Sequence, residues 1–217
     1  MIKYFISISF LFCLFVLPIS AKDDYSNIKG DWKIIQLGDD NETVIKKLNY
    51  LQKKGAFDEY GVFDNFSEDG TYSIVVGCAK MFDDKYIGIK LSFTNDKLLY
   101  SIIFSFENVK ENSYDTIIKN QLYKKIKPMF TKIYGEAIES NDFPDIDYLV
   151  DKQLYVTDVW EIKQVNKLKS ISIGIFKFGD YYHAQIIILD KNLQNKLLKD
   201  KEEALDNTIK NSIDDFN

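Results

Sequence analysis

The sequence predicts an α+β fold, with antiparallel sheet packed against helices and a closing C-terminal helix. Two hairpins with period-2 alternation and three stretches of helical spacing carry that expectation. In the first hairpin Ile87, Ile89, Leu91 and Phe93 alternate with Gly88, Lys90 and Ser92. In the second, Ile171, Ile173 and Ile175 alternate with Ser172 and Gly174. Alternation of this kind marks a strand with one buried face.

Taken in order, the first element is a helix over 41–54. Asp39-Asp40-Asn41 offers its cap, Val44, Ile45, Leu48 and Leu51 recur at helical spacing, and Gly55 stops it. Asp64 to Gly70 reads as a polar turn, with Asp69-Gly70 a hairpin signal before the strand Thr71–Val76. The alternating run at 87–93 turns at Thr94–Lys97 and returns through Tyr100, Ile102, Phe104 and Phe106. A second helix starts at Ser113 with an apolar stripe of Ile117, Ile118, Leu122, Ile126, Met129, Phe130 and Ile133. Gly135 ends it, and Pro128 inside it predicts a kink or restart. Residues 136–150 read as loop. Strands then follow at 154–165, at 171–175 and, after the Gly179-Asp180 turn, at 182–189. Leu193, Leu197, Leu198, Leu205, Ile209, Ile213 and Phe216 trace the closing helix over 192–216.

The two hairpins share the form Lys-x-Ile-x-Ile-x-aliphatic, at Lys85–Leu91 and Lys169–Ile175. Each is preceded by a helix ending in glycine and followed by an aromatic-rich return strand. That order points to a duplicated helix-plus-three-strand unit, with repeats at 33–106 and 113–190.

Residues 1–21 have the form of a secretory signal peptide. Lys3 starts it, Tyr4–Leu17 is apolar apart from Ser7 and Ser9, and Ser20-Ala21 precedes the polar Lys22-Asp23-Asp24. The run is short of the roughly 20 residues a membrane span needs. Cys13 raises the competing reading of a lipid anchor, but Leu11-Phe12 lacks the small residues that lipoprotein processing requires. The expected layout is therefore a leader, 1–21, and one mature domain, 22–217, exported to the periplasm, the cell envelope or the medium.

Composition narrows the chemistry. The chain carries a net charge of −5 and no arginine. Bidentate clamps for phosphate or guanine are thus missing, and nucleic-acid binding has no electrostatic footprint. Beyond the leader Cys78 is the one cysteine, set in the apolar run Ile74–Cys78, and is expected as a buried structural thiol. A core of ordinary aliphatic and aromatic packing must therefore hold the fold without disulfides. His183 is the one histidine, in Tyr181–Ile188. By alternation it shares a face with Tyr181 and Gln185, opposite Tyr182, Ala184, Ile186 and Ile188, at a solvated or half-buried position. Zinc sites need three or four His and Cys ligands, which this chain does not have. Asp142, Asp145 and Asp147, with Asp151 beyond, are the nearest approach to a calcium loop, without its glycine and terminal glutamate. They read as solvated acids, so no metal or cofactor is expected. Phosphate-binding glycine loops are absent from the sequence. Trp32 and Trp160 read as core residues.

The segment Ile34-Ile35-Gln36-Leu37-Gly38, leading into a helix, resembles the β-lactamase-inhibitor-protein and BamE-like group of small exported proteins. The resemblance covers 33–106 and implies binding and assembly without catalysis. It assigns no site residues, and the lipoproteins' anchoring cysteine has no counterpart here. The sequence thus points to a non-enzymatic exported protein that binds a protein or other envelope component. A hydrolase of glycans working through carboxylates alone is the alternative. If the helices cover the isoleucine face, Ser92, Ser172, His183 and Gln185 lie on the opposite face, where a partner is expected.

The exported form is predicted to begin at Lys22 and to be soluble once released. Intact-mass measurement of the released protein checks this, and retention of residues 1–21 or a lipid adduct on Cys13 contradicts it.

Overall fold

The computed structural model describes residues 29–63, 72–81 and 85–214; side chains at 63, 78, 80, 81, 85, 86 and 210–214 lie outside that description. The leader, the turn at Asp69-Gly70, the Cys78 thiol and the end of the closing helix, with Ile213 and Phe216, therefore fall outside the described residues.

The fold is α+β, built on one open antiparallel sheet. Helix α1 spans Asn41–Lys53, and Asp40 caps it by accepting from the Thr43 amide at 2.8 Å. Strands β1 (Glu59–Phe63), β2 (Ser73–Met81), β3 (Lys85–Phe93) and β4 (Leu99–Ser105) then form a meander. After the two-residue β5 (Val109–Lys110) the chain winds through π-helical turns over 114–118 and 120–126 into α2 (Lys127–Tyr134). A second meander follows: β6 (Glu139–Ser140), β7 (Leu154–Gln164), β8 (Lys167–Phe178) and β9 (Tyr181–Asp190). Helix α3, Lys191–Asp214, closes the chain.

The sheet order is β1-β2-β3-β4-β9-β8-β7-β6, so the last strands of the two meanders meet at the centre. Ile103 faces Ile187 in the middle of that joint, flanked by Ser101–Leu189 and Ser105–Gln185. Each half is a helix followed by four strands, one strand more than the sequence predicts. The added strands are β1 and β6, both at the sheet edges. β6 has only two residues, in a segment read as loop, and carries no alternation by which to see it.

Register assigns the two faces. Ile89, Leu91, Ile102, Phe104, Ile171, Ile173, Ile175, Ile186 and Ile188 fall on one face, and all are buried. Burying each such side chain contributes about 1.5–3 kcal/mol. Helix α1 covers the first half of this face through Val44, Leu48 and Leu51. Trp32 packs with Phe57 and Phe104 beside it. In the second half Tyr114 meets Tyr182, Phe130 meets Trp160, and the Trp160 indole N–H donates to the Gly135 carbonyl at 2.9 Å.

The π-helical turns have a physical reason. Tyr114, Ile118, Leu122, Ile126 and Phe130 are buried and recur every four residues. An α-helix at about 100° per residue would rotate such a row by about 40° per step and carry it off the sheet. Wider π-helical turns rotate it back the opposite way, so turns of both widths along 114–134 keep the row over β9, β8 and β7. Pro128 marks the restart: the π-helical turns end at Ile126 and α2 begins at Lys127, with Pro128 in its first turn.

Gly174 lies beside the bulge in β7, where the register shifts between Val156 and Asp158. A Cβ there would overlap the Tyr155 carbonyl. Gly174→Ala is predicted to lower stability by about 1–3 kcal/mol, read as a reduced urea midpoint, while Gly88→Ala, which meets nothing within 4 Å, has little effect.

Candidate functional site

The second sheet face carries the chemistry that the packed face cannot. Three rows cross it. One runs Ser73, Ser92, Ser101, Leu189 and Ser170. The next runs Val75, Lys90, Ile103, Ile187, Ser172 and Val159. The third holds Gly88, Ser105, Gln185, Gly174 and Val156, with the His183–Phe176 pair beyond it.

Helix α3 shelters one end of this face. Glu161 sits opposite Trp160 across the sheet, and Lys191 in the first turn of α3 holds its carboxylate. The Asp190 carboxylate accepts from the Asn192 and Leu193 amides at 3.0 and 3.1 Å, fixing where the helix starts. Lys196 reaches Asp96 in the β3–β4 turn, and Leu197 is buried. The serine row at this end is correspondingly buried at Ser73, Ser92, Ser101 and Ser170. Ser92 is therefore not the accessible position that alternation implies. Alternation gives the face of a residue, but what the rest of the fold lays over it decides its exposure.

The middle row is different, because none of its six side chains is buried. Val75 is 38 % exposed, and Lys90, Ile103, Ile187, Ser172 and Val159 are half-buried. Ser172 thus belongs to an accessible strip, and Gly88 beside it is exposed.

His183 and Gln185 lie deeper than expected. Each is 9 % exposed, where a solvated or half-buried position was predicted for His183. The Phe176 ring, 5.3 Å away across the strand pair, covers the imidazole. Gln185 Nε2 donates to Ser105 Oγ at 3.2 Å and lies 3.0 Å from His183 Nε2. The Gln185 side-chain amide thus links the imidazole Nε2 to the Ser105 hydroxyl. The imidazole Nδ1 has no partner among the described residues. Ser105 meets Gln185, not the imidazole, whereas an activated serine must touch its base. The arrangement is a polar network with one ring nitrogen left unpaired.

Two other polar clusters serve the fold. Asp158, 1 % exposed at the β7 bulge, accepts from Lys127 at 2.5 Å and Ser140 at 2.7 Å. A small polar cleft of about 150 Å³ lies where Asp31, Lys167, Lys169 and Asp190 meet. Lys169 pairs with Asp31 at 2.8 Å, and Lys167 donates to the Leu37 carbonyl at 3.1 Å. These contacts tie the segment before α1 to β8. Asp142, Asp145 and Asp147 are exposed, and Asp151 accepts from the Gly179 amide at 2.6 Å. Among the described residues no three His, Cys, Asp or Glu side chains converge on a metal-sized site. Among them, too, no helix is long and apolar enough to cross a membrane.

Burial pulls the His183 pKa below its ordinary value near 6.5. The imidazole is therefore neutral in the fold at neutral pH, and the unfolded chain binds the proton more readily. Stability from this group is present above about pH 6.5 and falls as pH drops through that value toward the lower folded pKa. Urea unfolding between about pH 7.5 and 5, the range in which histidine titrates, is predicted to show this loss. His183→Gln is predicted to remove it.

No family model, curated protein or solved structure matches the chain.

Proposed function

We propose that this is an exported, non-enzymatic binding protein that takes its partner on the second face of the sheet. The observation that carries this reading is the accessible row Val75, Lys90, Ile103, Ile187, Ser172 and Val159. It crosses six strands of one sheet, and Val75, Ile103, Ile187 and Val159 give it apolar surface that a partner can cover. Gly88 flanks it, exposed and without a side chain, which leaves backbone within a partner's reach.

A rigid sheet presents such a row without ordering anything on binding, which keeps the entropic cost of association low. The resemblance of residues 33–106 to exported binding and assembly proteins agrees with this reading. The export step rests on the leader at 1–21, and the partner is a protein or another component of the envelope.

Lysine at Val75 and at Ser172 tests the proposal. Both positions accept a long side chain at the surface, so folding, followed by circular dichroism, is expected to persist. Crosslinking in intact cells is expected to capture a partner with the parent protein and to lose it with either variant. Unchanged capture by both folded variants places the binding surface elsewhere.

A further inference from the structure

Helix α3 orders its charges against its own dipole. Residues 191–201 carry four lysines and one aspartate, a charge of +3. Residues 202–214 carry Glu202, Glu203, Asp206 and Asp214 against Lys210, a charge of −3. A helix favours acids at its N-terminus and bases at its C-terminus. The first turn of α3 has no acid and the last has no base. Within the chain the Asp190 cap, Glu161 on Lys191 and Asp96 on Lys196 offset the start of the basic half, whereas Glu202, Glu203 and Asp206 lie beyond these contacts.

The same helix leaves an apolar stripe in solvent. Leu197 is buried, but Leu198, about 100° around the helix from it, is 53 % exposed. Leu205 at 61 % and Ile209 at 48 % continue the Leu198 stripe, and every side chain from Glu202 to Ile209 is exposed. The stripe lies away from the seam that α3 makes with the sheet.

We propose that α3 pairs with the α3 of a second copy of this chain, antiparallel, about a twofold axis near residues 202–203. Antiparallel order lays the +3 half of each helix on the −3 half of the other. Leu198 then packs between Leu205 and Ile209 of the second copy. Lys199, which within its own helix meets Glu203 at 3.5 Å on the surface, faces Asp206 of the second copy, and the axis repeats that pair. A parallel pair would set like charges together. A membrane-surface helix would carry lysine along the whole polar face, whereas half of this one is acidic. A twofold contact is also closed and does not propagate.

Sedimentation velocity of the purified protein over a concentration series tests the pairing. The parent protein is expected to show a reversible monomer–dimer equilibrium, and Leu205→Asp to be monomeric. Lys199→Glu and Asp206→Lys each set like charges across the axis and are expected to weaken the dimer about tenfold. Circular dichroism is expected to show α3 intact in both. Mixed in equal amounts, the two variants are expected to recover dimerisation as a heterodimer. A parent protein that stays monomeric, a dimer indifferent to Leu205→Asp, or charge variants that do not recover on mixing overturns the proposal. So does a monomer that uses Leu205 to bind anionic lipid vesicles.

Discussion

The pairing of β4 with β9 is the contact on which the rest of the structure depends. Two helix-plus-four-strand halves each end in a central strand, and those strands complete one another. Without the joint, Ile102, Phe104, Ile186 and Ile188 would lie at two open sheet edges. Exposed edges of that kind invite pairing with other chains. With it, both halves share one aliphatic layer, and α1 and the 114–134 segment lie side by side over it. Side-chain contacts reinforce the joint on the packed face. Lys169 and Lys167 of the second half grip Asp31 and the Leu37 carbonyl of the first.

Fusion through last strands also sets the asymmetry of the molecule. Both helical segments cover the same face because each precedes its meander in the same sense. Among the described elements only α3, which follows the second meander alone, reaches the other face, and it shelters one end of it. A nine-stranded sheet is therefore packed on one side and half-covered on the other. The accessible row through Ile103 and Ile187 sits at the joint itself, so the proposed binding surface exists only when the halves are fused. The exposed stripe of α3 is a separate feature, carried by the part of that helix beyond its contact with the sheet.

Much of the fold is legible in the residues, and the reasons for the rest are specific. Period-2 alternation places the faces of β3, β8 and β9 correctly, because side chains alternate strictly along a strand. The cap at Asp40 and the stops at Gly55 and Gly135, with φ of +70° and +82°, fix helix ends by local chemistry. Edge strands β1 and β6 escape notice because they are short and lean on their neighbours. The π-helical turns leave one signal in the sequence, a buried residue every four positions from Tyr114 to Phe130, which a helical reading absorbs as ordinary amphipathicity. Exposure on the second face is the larger gap. Ser92 is buried by distant elements, and His183 by Phe176 from the neighbouring strand. Neither effect has a local cause that alternation along one strand can report.

Native-state hydrogen exchange tests the fused sheet most directly. If the β4–β9 joint makes the two halves one cooperative unit, the protected amides of β3, β4, β8 and β9 exchange only through global unfolding, with a single opening free energy. Exchange of one half at a distinctly lower free energy, while the other stays protected, would show two units resting side by side and would contradict the account.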